Sequence, residues 1–228
     1  MMARHSTRGR PRVVGVIASR ADLERALRMR RPPDLFELRL DHLAGITDRL
    51  EKVLPKLHTP LIITARHPHE GGASKLRLRQ RRDLLAQFLN HAQHIDVELR
   101  SAPALRSLLT LAKKKNIGRI ISFHSFKSTP SARILAAKER AARSYGADIF
   151  KVATRTDTPM ELGCLLDFIT KSCVNVPLAV MGIGKLGAIS RVLLARAGSV
   201  LIYASVGTAT DVEGQLSLEQ LRGLGFGR

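Results

Sequence analysis

Short apolar runs alternate with stretches of helical period along almost the whole chain. The runs fall at 13–18, 35–40, 61–66, 95–100, 119–124, 148–153, 178–182 and 200–205. Between them apolar residues return every three or four positions, which gives a helix one face to bury. Helix starts are marked by Ser19 with Asp22, by Thr129 and Thr158 before prolines, and by Ser217 with Gln220. Gly146 and Gly198 stand where helices should stop.

Regular β-α alternation predicts parallel strands covered by helices. Eight such units fit a closed (β/α)8 barrel, the TIM barrel, as a single α/β domain. A doubly wound open sheet is the competitor. Strand faces decide between them. In 35–40, Phe36, Leu38 and Leu40 share one face, and Glu37 and Arg39 share the other. In 95–100, Ile95, Val97 and Leu99 oppose Asp96, Glu98 and Arg100. An open sheet covered on both sides would show continuous apolar runs. Apolar faces turned to helices leave the charged faces a barrel lumen. The expected layout is a basic tail at 1–12 and a barrel at 13–228.

The composition suits one sizeable core, with 228 residues and 44% hydrophobic. No apolar run approaches membrane-spanning length, and 13–18 is too short for a signal peptide, so a cytoplasmic protein without membrane contact is expected. Cys164 and Cys173 lack metal or redox spacing and read as buried reduced thiols. The formal charge of +19 raises nucleic-acid binding. Basic residues spread along nearly every helix, with Arg30-Arg31, Arg81-Arg82 and Lys113–Lys115 at surface helical positions, read instead as a solvated basic face. Aromatics at 4% leave few stacking platforms, so no specific nucleic-acid partner is expected.

Candidate chemistry lies at strand ends. Lys151 sits inside 148–153, sharing a face with Ile149 and Ala153. Burial disfavours a charged amine, and the neutral amine can attack a carbonyl. Equally, such a lysine can snorkel from a strand end or pair with a carboxylate such as Glu98. His124 closes 119–124 and can move protons near neutrality, or can be a structural histidine. Glu70 precedes Gly71-Gly72 and alone reads as a surface residue. His67, His69 and Glu70 around Pro68 do not converge as metal ligands, so no metal is expected. Glu70, His124 and Lys151 would share one mouth, where Arg39, Arg66 and Arg191 can receive an anionic, hydroxylated substrate.

The ordered set F-E-L-R-L-D (36–41), I-T-A-R and H-E-G-G (63–72), D-V-E-L (96–99), S-F-H-S-F (122–126), D-I-F-K-V-A (148–153), G-A-I-S-R (187–191) and E-G-Q (213–215) resembles the type I 3-dehydroquinate dehydratases over about residues 13–223. The resemblance implies a cofactor-free hydro-lyase of the shikimate pathway of aromatic amino acid biosynthesis, in which 3-dehydroquinate becomes 3-dehydroshikimate. It implies that Lys151 forms a Schiff base with the C3 ketone, that His124 shuttles protons, and that Glu70 orients His124. It further implies that Glu37, Arg39 and Arg66 hold ring hydroxyls, that Arg191 and Gln215 hold the carboxylate, and that the enzyme is a homodimer.

Three positions depart from the family pattern. Ser125 follows His124 where aspartate is frequent, and Ile183 replaces a usual methionine. The stretch 211–215 begins with Asp211 where a carboxylate-gripping serine is common, so that serine's role is not carried over, and Thr208 or Thr210 is the candidate hydroxyl. Two other functions fit parts of the pattern. A class I aldolase or transaldolase barrel also uses a lysine imine, and Gly182, Gly184 and Gly187 resemble its phosphate site. A basic barrel binding RNA or another polyanion without catalysis would use the charge.

Overall fold

The computed structural model describes residues 9–73, 75–172, 176–207 and 212–227. Eight parallel strands form a nearly closed barrel: β1 (Arg12–Ile17), β2 (Leu35–Arg39), β3 (Leu61–Thr64), β4 (His94–Glu98), β5 (Gly118–Ser125), β6 (Ile149–Arg155), β7 (Leu178–Ile183) and β8 (Leu201–Ser205). Ladders join β1 to β8 and then β1 through β7 in chain order. The seam between β7 and β8 is bridged by the Val200 N–H donating to the Leu178 carbonyl at 2.8 Å. The helices are α1 (Arg20–Leu27), α2 (Leu40–Leu43), α3 (Thr47–Val53), α4 (Leu78–Phe88), α5 (Arg106–Lys114), α6 (Ala132–Ser144), α7 (Pro159–Lys171), α8 (Gly187–Ala197) and α9 (Leu218–Gly223). Among the described residues no helix is long and apolar enough to cross a membrane.

The core has two layers, as period-two strands inside a helical ring require. Phe36, Leu38, Ile95, Val97, Phe150 and Val152 belong to the outer cluster against the helices. Val14, Leu35, Ile62, Ile120, Ile149 and Leu201 fill the lumen. The lumen is therefore plugged with apolar side chains at one level and carries the polar site at another.

Most end signals hold. Ser19 accepts from Asp22 N–H, and Thr158 and Ser217 form capping boxes with Glu161 and Gln220. Gly198 caps α8 in the left-handed region at φ 116°. Four expectations need correction. Ser131, not Thr129, caps α6. The Thr129 hydroxyl instead meets Thr154, Thr156 and the Arg155 carbonyl, stapling the end of β6. Arg30 and Arg31 lie beyond the end of α1, and Arg81 is buried rather than on the surface. Cys164 is a free, half-buried thiol, and Cys173 lies outside the described residues. Basic residues do run through nearly every helix, and they are densest in one stretch. Between 106 and 143 ten lysines and arginines face one carboxylate, Glu139, which is itself buried.

Candidate active site

The strand alternation places a charged network in the lumen. Asp96 from β4 accepts a bidentate pair from Arg66, at 2.9 Å to each oxygen, and a 2.6 Å bond from Ser122 of β5. Lys151 of β6 lies beside Ser122 in the sheet register. Its Nζ is 3.0 Å from Asp96 and 3.3 Å from Glu37 of β2. Glu37 also accepts from the Thr64 hydroxyl at 2.8 Å. The Lys151 partners are thus Asp96 and Glu37, whereas Glu98 binds Arg81 at 2.5 Å, Arg66 at 3.3 Å and the His67 N–H at 2.8 Å. Burial opposes the charge on Asp96, but the Arg66 and Lys151 cations outweigh it and hold the carboxyl well below its ordinary range. Burial likewise opposes the Arg66 charge, and Asp96 and Glu98 more than compensate it.

Glu70 and His124 form a second unit. The 3-10 turn Pro68–Glu70 follows β3, with the His67 ring accepting from His69 N–H at 3.0 Å. Gly71 leaves the turn at φ 84°, and a side chain at Gly72 would lie 2.4 Å from the Arg66 carbonyl. Only glycine fits both demands. The turn buries Glu70, whose Oε2 sits 3.0 Å from both the backbone nitrogen and Nδ1 of His124. Burial and the nearby Glu98 raise the Glu70 carboxyl to about 7. Burial, then the Arg66 and Lys151 cations, push His124 well below 6.5. His124 is therefore a neutral imidazole near pH 7. With Nδ1–H donated to Glu70, its Nε2 lone pair is left for proton transfer.

Both units line one cavity of about 290 Å³, together with Arg39, Arg191, Tyr203, Val212 and Gln215. Arg39 is held by Asp41 in a two-pronged pair at 2.8 and 3.1 Å and donates to the Gly71 carbonyl. Arg66 lines the cavity with its guanidinium engaged by Asp96, Glu98 and Ser122. Arg191, from α8, is buried and meets the Gly214 carbonyl at 3.2 Å, the Tyr203 carbonyl at 3.3 Å and the Met181 sulfur at 3.5 Å. No carboxylate pairs with it among the described residues, and burial alone lowers it to about 10. A buried cation without a counter-charge is a ready receptor for an anion. Gln215 is brought to the rim by a loop docked on the turn after β7. The Gly184 N–H donates to the Glu213 carbonyl at 3.0 Å, and Arg155 pairs with Glu213 at 3.3 Å. Asp211, Thr208 and Thr210 lie outside the described residues.

The structure thus brings Lys151, His124, Glu70, Glu37, Arg39, Arg66, Arg191 and Gln215 around one cavity. His67 and His69 stack edge to face, 5.1 Å between ring centroids. Among the described residues no three or more His, Cys, Asp or Glu side chains are grouped to hold a metal ion. Three contributors escaped the sequence reading. Asp96 stood out only as a lumen-facing charge, not as the partner of Lys151. Arg81 shares the helical face of Leu85 and Phe88, a signal outweighed by its charge. Tyr203 gave no signal, yet its ring centroid lies 3.9 Å from Lys151 Nζ and its buried hydroxyl has no partner among the described residues.

The chain resembles known proteins over nearly its full length. The family model for type I 3-dehydroquinase matches residues 15–224. A 3-dehydroquinate dehydratase from Geobacillus sp. (strain WCH70) is 33% identical over 206 residues, which covers 85% of this chain and 79% of that protein. One from Thermodesulfovibrio yellowstonii is 32% identical over 193 residues, 82% of each chain. The crystal structure of 3-dehydroquinate dehydratase from Geobacillus kaustophilus superposes with a TM-score of 0.85 at 25% identity, covering 94% of this chain and 89% of that one.

Proposed function

The chain belongs to the type I 3-dehydroquinase family and is a hydro-lyase acting on 3-dehydroquinate in the shikimate pathway, and from that premise we propose that it works through an imine on Lys151, with His124 as the proton carrier and Glu70 as its partner. The observation that carries this reading is the placement of a lumenal lysine amine and a neutral, carboxylate-bound histidine on one cavity.

The substrate carboxylate pairs with Arg191, helped by Gln215, and thereby relieves an unbalanced buried cation. Glu37, Arg39 and Arg66 face the ring hydroxyls. Lys151 gives one proton to His124, and the free amine attacks the C3 carbonyl carbon. Two protons that began on nitrogen end on the departing oxygen, which leaves as water and creates a protonated imine. Nε2 of His124 then takes a C2 proton, and the C–H electron pair moves through C3 onto nitrogen. The pair returns as the C1 hydroxyl takes that proton from His124 and leaves as water, forming the C1–C2 double bond. Hydrolysis frees the 3-dehydroshikimate product and the amine, for a net loss of one water. Orientation of the ring by these side chains supplies further rate.

Borohydride with 3-dehydroquinate should add a stable mass at Lys151, and Lys151→Ala should lose both the adduct and the rise in enone absorbance. Labelling at another lysine would overturn the assignment. The same reading carries a homodimer in the cytoplasm. Sedimentation equilibrium at twice the chain mass of 25.1 kDa checks the dimer.

A further inference from the structure

Lys151 has an aromatic neighbour that its ion pairs do not explain. Tyr203 belongs to β8, opposite Val14 in the register, and its ring joins the lumen cluster. Lys151 Nζ lies 3.9 Å from the ring centroid, inside the range for a cation held over a π face. The residue is 3% exposed, so water does not weaken that attraction. Its hydroxyl has no partner among the described residues, so hydrogen bonding does not account for tyrosine here. The Tyr203 backbone carbonyl accepts from Arg191, so one residue touches both the amine and the anion receptor.

We propose that Tyr203 is a catalytic residue whose ring face stabilises positive charge on the Lys151 nitrogen, as ammonium and again as protonated imine. Asp96 and Glu37 can take a proton from that nitrogen, whereas a π face attracts the charge without becoming a base. In the elimination, charge leaves nitrogen as the C2 proton departs and returns as the C1 hydroxyl leaves. The ring opposes the departure and favours the return, so it speeds turnover with expulsion of water as the slower step. This inference rests on the Lys151 imine.

The test grades the ring's electrostatics at constant shape. Tyr203→Leu, which removes the face, should lower kcat by about 10- to 30-fold and slow borohydride-trapped mass gain at Lys151. Tyr203→Phe should recover most of that loss. Mono-, di- and trifluorinated phenylalanine at 203 should then lower kcat stepwise, because fluorine drains the ring face, while KM and the melting temperature stay level. A flat kcat across the fluorinated series, with Lys151 still trapped, overturns the role of Tyr203 alone. So does a Tyr203→Phe variant as slow as Tyr203→Leu, since the hydroxyl would then be the working group. Trapping at a different lysine overturns the imine reading itself, and this inference with it.

Discussion

Replacing Arg191 by methionine should stabilise the ligand-free enzyme while weakening its hold on substrate. The descent of the guanidinium from its ordinary value to about 10 corresponds to ~3 kcal/mol of unrelieved desolvation. Below pH 10 the residue is charged both folded and unfolded, so the whole penalty is present at neutrality. It fades only as pH climbs through 10. Against it stand the bonds to the Gly214 and Tyr203 carbonyls, at ~0.5–1.5 kcal/mol each. Arg191→Met, which keeps the apolar stem, should therefore gain about 1 kcal/mol, seen in urea titration as a higher midpoint or as ~2–4 °C in Tm. Substrate binding moves the other way. Loss of charge-assisted bonds to a carboxylate, ~2–3 kcal/mol, should raise KM by about 30- to 150-fold. The reasoning is refuted if the variant is less stable and keeps its KM, because Arg191 would then be a structural strut.

Three further expectations follow from the geometry. Because Glu70 ionises only above about 7, activity that depends on its carboxylate should rise with pH through that value. Glu70→Gln can still accept from His124 but cannot ionise, so the inflection should vanish from its kcat/KM profile and turnover at pH 8 should fall by about 10-fold or more. Arg81→Met leaves Glu98 buried with Arg66 as its remaining cation, and should cost about 3 kcal/mol. Adding Glu98→Gln should restore part of that in chemical denaturation, and no restoration would show that Arg81 acts by packing. His94, held neutral at about 4 by burial and by Arg12, lies below its unfolded value near 6.5. Its contribution is complete above 6.5 and is lost as pH falls toward 4, by about 1–2 kcal/mol after allowing for partial exposure. His94→Gln should flatten that acid limb, and an unchanged limb would exonerate the histidine.

Strand identity and strand faces were legible because a side-chain period of two is rigid. Once Phe36 and Phe150 turn outward, Glu37 and Lys151 have only the lumen left. Helix faces are less legible. In α4, Arg81 and Arg82 are adjacent and chemically identical, yet the first reaches inward to Glu98 and the second pairs with Asp83 at the surface. The helical period does separate them, since Arg81 shares a face with Leu85 and Phe88, but the partner that draws its charge inward is 17 residues away on another element. Thr129 illustrates the same limit. A hydroxyl before proline is a good cap signal, but Thr129 turns to the Arg155 carbonyl and the Thr154 and Thr156 hydroxyls at the end of β6, and Ser131 caps instead. Tyr203 escaped because a tyrosine in an apolar run looks like core, and it is core; its chemical interest comes entirely from Lys151 crossing its face.

The lumen's charges explain why an anionic substrate completes the site. Glu37, Asp96 and Glu98 are met by Lys151, Arg66 and Arg81, three carboxylates against three cations, all nearly excluded from water. At the rim Arg39 is satisfied by Asp41, and the neutral His124 with Glu70 near its midpoint at pH 7 adds little net charge. Asp22, also on the cavity, is held by Ser19 and the Ala18 N–H rather than by a cation. Among the described residues of the site Arg191 is the cation with no carboxylate beside it. One carboxylate on the ligand pairs with it, whereas a neutral analogue leaves the penalty in place. Preference for a carboxylate on the ring thus follows from the local pairing at buried Arg191. The +19 exterior works only at longer range, raising the local concentration of anions in a salt-dependent way. If that division is correct, added salt should slow substrate capture while leaving kcat at saturation almost untouched.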